Sequence, residues 1–134
     1  MNKKKDYKTH YKDIIPYITK DGSEIRELMH PDIHSITNLS LAEALIPENC
    51  ETLLHKHIKS EEVYYIISGS AVMTLDDETF NVKEGDTVCI KPGCLHNIRN
   101  NSSKELKILC ACSAAYSHDD TQIIERQCQT KPVK

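Results

Sequence analysis

The stretch Leu53-Leu54-His55-Lys56-His57-Ile58-Lys59-Ser60-Glu61-Glu62-Val63-Tyr64-Tyr65-Ile66-Ile67-Ser68-Gly69-Ser70 decides the fold. Its aliphatic and aromatic residues run without helical period up to a Ser-Gly-Ser turn, the pattern of strands joined tightly. Alternate side chains of a strand leave the same face, so His55 and His57 project together while Lys56 points away. Glu62 follows five residues later, an odd offset. A turn or bulge at Lys59-Ser60-Glu61 would re-aim it onto the histidine face, with Tyr64 and Ile66 beside it. His96 comes after the rigid turn Pro92-Gly93 and would be the first inward residue of a new strand. The histidine pair alone is equally compatible with hydrogen-bonded core residues. Three imidazoles and one carboxylate at convergent strand positions are instead a donor set for manganese, iron, nickel, cobalt or zinc.

Outward from this stretch the same texture continues. Strands are predicted over 36–46, 51–57, 63–68, 71–75, 79–82, 87–90, 96–100 and 106–112, separated by Pro47-Glu48-Asn49, Asp76-Asp77-Glu78, Lys83-Glu84-Gly85-Asp86 and similar turns. Such even spacing points to an all-β barrel or sandwich. Residues 24–29 follow the turn Asp21-Gly22-Ser23 and read either as a strand with Glu24, Arg26 and Leu28 on one face or as a short helix. Tyr116-Ser117-His118-Asp119-Asp120 reads as a polar loop before Ile123-Ile124. The organisation expected is an N-terminal arm (1–32), a barrel (33–115) and a C-terminal loop, strand and tail (116–134).

Composition narrows the function. The chain has 134 residues, 39% hydrophobic, enough for one core, and its formal net charge is −3. No basic face exists to release counterions from a phosphate backbone, so nucleic acid is not an expected partner. Lys3, Lys4, Lys5, Lys8 and Lys12 read as a solvated terminus. No apolar run approaches the length of a membrane span and no secretory leader is visible, so the expected compartment is the cytosol. There the six cysteines, Cys50, Cys89, Cys94, Cys110, Cys112 and Cys128, are expected as free thiols. Cys110 and Cys112 share a strand face and read as small core residues.

Residues 49–100 resemble the two motifs of the cupin superfamily, Gly-x5-His-x-His-x3-4-Glu-x6-Gly and Gly-x5-Pro-x-Gly-x2-His-x3-Asn. His55, His57, Glu62 and Gly69 match the first, Gly85, Gly93, His96 and Asn100 the second. Two positions depart: Asn49 stands for the first glycine and Lys91 for the proline. Asparagine tolerates a left-handed turn and Pro92 keeps the second turn stiff, so only loop detail is affected. The flanks, with Asp21 to Leu28 and Ser40-Leu41-Ala42-Glu43-Ala44, are similar to small cupins labelled mannose-6-phosphate-isomerase-like.

The resemblance implies a single-domain double-stranded β-helix, or jelly-roll barrel, one divalent metal ion on His55, His57, Glu62 and His96, and a homodimer. A small-molecule ligand or substrate is the expected partner. Three functions fit: a metalloenzyme moving a proton on a sugar or oxo acid, an iron- or manganese-dependent dioxygenase, and a non-catalytic ligand sensor. Tyr64 and Glu43 are candidate acid–base groups, against plainer readings as a lining aromatic and a surface charge. Arg26 is a candidate anion clamp or an ordinary surface arginine, and His118 a loop residue.

Overall fold

The computed structural model describes residues 7–124. Apart from a 3₁₀ turn at Tyr11–Asp13, its regular structure is all strand: β1 (Tyr17–Ile18), β2 (Glu24–Met29), β3 (Leu39–Ile46), β4 (His55–His57), β5 (Glu61–Ser68), β6 (Ser70–Leu75), β7 (Glu78–Lys83), β8 (Thr87–Ile90), β9 (His96–Arg99), β10 (Leu106–Ser113) and β11 (Thr121–Ile123). They form two antiparallel sheets, β1-β2-β3-β10-β5-β8 and β11-β4-β9-β6-β7. The chain is an all-β jelly roll in one domain. Residues 24–29 are a strand and not a helix, and they pair with β3, so this part of the N-terminal segment belongs to the six-stranded sheet.

The core lies between the sheets and follows the period of two. Along β5, Glu62, Tyr64 and Ile66 are buried while Val63, Tyr65 and Ile67 are exposed. Ile66, Met73, Ile98, Leu106 and Ile108, all within 1% of complete burial, form its centre. Each such side chain contributes roughly 1.5–3 kcal/mol by leaving water.

Two of the corners that carry the chain between sheets use left-handed backbone. Gly69, at φ +98°, joins β5 to β6, and a Cβ there would stand 3.0 Å from the Glu105 carbonyl oxygen. Asn49 takes φ 58°, the left-handed turn expected of the residue that replaces a glycine. The predicted strand over 51–57 is shorter than expected. Only His55–His57 is regular, because Leu53 N donates to the Asp21 carbonyl and Thr52 N to that of Ile98.

Candidate metal centre

His55 on β4 and His96 on β9 are cross-strand partners of the five-stranded sheet, and His57 stands two residues along on the same inner face. Glu62 reaches them by a turn, one of the two routes expected from the sequence. No bulge within one strand re-aims it; the chain leaves the five-stranded sheet after His57 and enters the other sheet at Glu61, so Glu62 faces the histidines from across the barrel. The turn before His96 is fixed by Gly93 N donating to the His57 carbonyl at 2.8 Å.

The three rings lie within 5.4 Å of one another by centroid. Their available ring nitrogens fall within 4.8 Å, close enough to share an ion. Glu62 Oε1 is 3.1 Å from His57 Nε2 and 3.6 Å from His96 Nε2. All four residues are buried.

The outer hydrogen bonds fix the tautomers. His55 Nδ1 lies 2.8 Å from the Leu53 carbonyl and His96 Nδ1 3.0 Å from that of Cys94, so both carry the proton on Nδ1. His57 Nδ1 is 3.1 Å from Thr121 Oγ1, whose own proton goes to the Ser117 carbonyl at 2.9 Å, so His57 also donates from Nδ1. In a neutral ring each Nε2 then turns a lone pair inward, the arrangement in which an outer partner orients a ligating histidine.

Burial, then the neighbouring His96, lowers the His55 pKa to about 4 and keeps the ring neutral. Burial works to raise Glu62, but hydrogen bonding and positive charge from His57 and His96, which carry an Nε2 proton when no cation is bound between them, outweigh it and lower the group to about 2, a carboxylate. Glu62 Oε1 and His96 Nε2 are buried without a hydrogen-bond partner among the described residues. Inward lone pairs and unsatisfied acceptors in so small a space fit a bound cation.

His55, His57 and Glu62 line a cavity of about 40 Å³, room for an ion and roughly two or three waters. Ile25, Ala42, Ala44, Ile46 and Ile108 form its apolar end. Tyr64 faces inward as expected, and burial raises its pKa well above the ordinary value. Cys112 is more than core filling, because its thiol donates to Glu62 Oε2 at 3.4 Å. Burial raises both Cys110 and Cys112, which stay protonated and are poor ligands.

Glu43 and Arg26 belong elsewhere. Glu43 is buried on the outer sheet face, accepting a bond of 2.6 Å from the Tyr11 hydroxyl, with Arg26 at 3.9 Å and stacked over the Tyr11 ring. It is neither a surface charge nor a group of the cavity. His118 lies in the 117–120 turn, where its carbonyl accepts a bond from Lys20.

Sequence reasoning missed Glu27 and Asp21. Glu27 is 9% exposed and lines both the cavity and an adjoining open groove of about 1100 Å³ that includes Lys20, His30, Asp32, Asn38 and His118. Its Oε2 accepts a bond of 2.7 Å from the Tyr17 hydroxyl while Oε1 has no partner among the described residues. Burial raises its pKa. The signal was available: if Glu24 and Arg26 face outward, Ile25 and Glu27 face inward.

Residues 42–112 match the cupin domain family, and the chain belongs to it. It is 56% identical over 118 residues to the uncharacterized protein MJ1618 of Methanocaldococcus jannaschii, covering 88% of this chain and 94% of that one. Among solved structures it is similar to the polyketide cyclase RemF of Streptomyces resistomycificus, with TM-score 0.75 and 19% identity over 90% of this chain and 86% of that one. Streptomyces PAC13 with uridine gives TM-score 0.73 and 13% identity over 90% and 92%. At these identities the two structures support the fold alone.

Proposed function

We propose that this chain is a mononuclear metalloenzyme acting on a small oxygen-rich substrate, a sugar or an oxo acid, by proton transfer. His55, His57, Glu62 and His96 would hold one divalent ion. When bound, such an ion supplies Lewis acidity to a coordinated oxygen. The observation that carries the reading is Glu27, a buried carboxyl with an unpartnered oxygen at the junction of the cavity and the polar groove. Burial raises its pKa toward the working range of a proton-transfer group, and the Tyr17 hydroxyl holds its other oxygen in place. A sensor would have no use for this costly group. Pac13 is described as a nucleoside dehydratase and RemF as a polyketide cyclase, both chemistries on small molecules, which supports an enzymatic reading. We also propose a cytosolic homodimer.

The experiment is a screen of sugars, sugar phosphates and oxo acids with protein reconstituted in turn with each candidate metal. On the substrate found, Glu27→Gln is expected to keep the metal and lose turnover by roughly 10²–10⁴. A variant as active as wild type would overturn the role of Glu27. Turnover by no metal form would favour the sensor.

A further inference from the structure

We infer that Asp21 is a fifth protein ligand to the ion held by His55, His57, Glu62 and His96, an inference that rests on the metal-site reading above. Asp21 lies in the turn between β1 and β2, and its two carboxylate oxygens have divided roles. Oδ1 accepts from Thr19 Oγ1 at 2.8 Å, Ser23 N at 3.0 Å and Ser23 Oγ at 2.7 Å. That alone would complete a turn built on an aspartate. Oδ2 is left to face His55 Nε2 at 3.4 Å.

His55 Nδ1 donates a hydrogen bond to the Leu53 carbonyl, so in the neutral ring Nε2 meets Asp21 Oδ2 lone pair to lone pair. Two acceptors this close repel unless a cation serves both. The contact is not accidental to a loose loop. The Asp21 carbonyl accepts a bond of 2.8 Å from Leu53 N, which ties the turn to the segment entering β4. Asp21 thus stands beside His55 as Glu62 stands beside His57 and His96.

The consequence is a substrate class. Two carboxylates balance the charge of a divalent ion, and five protein ligands leave an octahedral ion one open position. A neutral hydroxyl or carbonyl oxygen, bound singly, fits this centre better than an anionic chelate or a substrate paired with dioxygen.

The test uses Asp21→Asn, full-length, with manganese(II) as the probe. The three donors to Oδ1 should hold the amide oxygen in place, turning the amide nitrogen toward His55 Nε2, where it donates a hydrogen bond and cannot ligate. Manganese affinity is expected to fall at least about tenfold. The metal-free variant is expected to melt at or above the temperature of metal-free wild type, because a repulsive contact has become a hydrogen bond. Ser23→Ala, which removes one donor and leaves Oδ2 in place, is expected to bind manganese nearly as wild type does. Unchanged affinity in Asp21→Asn, or an equal loss in Ser23→Ala, would overturn the inference while the four-ligand site stands. Failure of wild type to bind manganese or any other candidate divalent ion would overturn both.

Discussion

Asn100 is fully buried and ties three segments together: its amide nitrogen lies within 3.1 Å of the carbonyls of Ile46, Pro47 and Lys104, and its oxygen accepts from Ser102 N and Oγ. Asn100→Ala leaves those buried acceptors unmet and is expected to cost about 1–3 kcal/mol, read as a lower urea midpoint, with metal binding kept. Unchanged stability would contradict this. The motif match picked Asn100 out, but its role was not legible, because its partners lie up to 54 residues away in sequence. His55 carries a pH effect. Its folded pKa of about 4 lies below the ordinary 6.5, so between these values the unfolded chain binds more protons and stability falls as pH falls. The loss is about 3 kcal/mol when complete. Metal-free protein should therefore melt at progressively lower temperature from pH 6.5 to 4, with less slope in His55→Asn. Equal slopes would refute the assignment.

The elements of the barrel were largely legible, since β5, β6, β8 and β10 lie within a residue or two of expectation. What periodicity could not supply was where the chain changes sheets, and with it the route by which Glu62 meets the histidines. It also left the inward face of β2 unused as a source of site residues, so Glu27 was missed. Gly69 at one such corner allows a quantitative check. Gly22 and Gly69 have nearly the same positive φ, but a Cβ at Gly22 meets nothing within 4 Å, whereas at Gly69 it meets Glu105 backbone. Gly22→Ala should cost about 1 kcal/mol from the backbone conformation alone. Gly69→Ala should cost about 1–3 kcal/mol more, because the alanine also crowds a packed neighbour. Equal costs in chemical denaturation would show that the corner yields freely.

At the scale of the whole molecule, Val63, Tyr65 and Ile67 present an apolar row, 37–43% exposed, on the outer face of the six-stranded sheet. A twofold homodimer across this face is expected, with a light-scattering mass near twice 15.3 kDa. A Tyr65→Lys variant should shift toward the monomer. Wild type remaining at 15.3 kDa across micromolar concentrations would contradict the dimer. Among the described residues no helix is long and apolar enough to cross a membrane. Among the described residues Cys50, Cys89, Cys94, Cys110 and Cys112 form no disulfide with one another; Cys128, like Lys3, Lys4 and Lys5, lies outside them. The central claim is the metal centre, and its most direct measurement is elemental analysis of protein purified without chelator or affinity column, beside His57→Ala and His96→Ala. One equivalent of a divalent metal in wild type, and little in either folded variant, is the result expected. Wild type without metal even after reconstitution with manganese, iron, nickel, cobalt or zinc, or variants that keep a full equivalent, would contradict it.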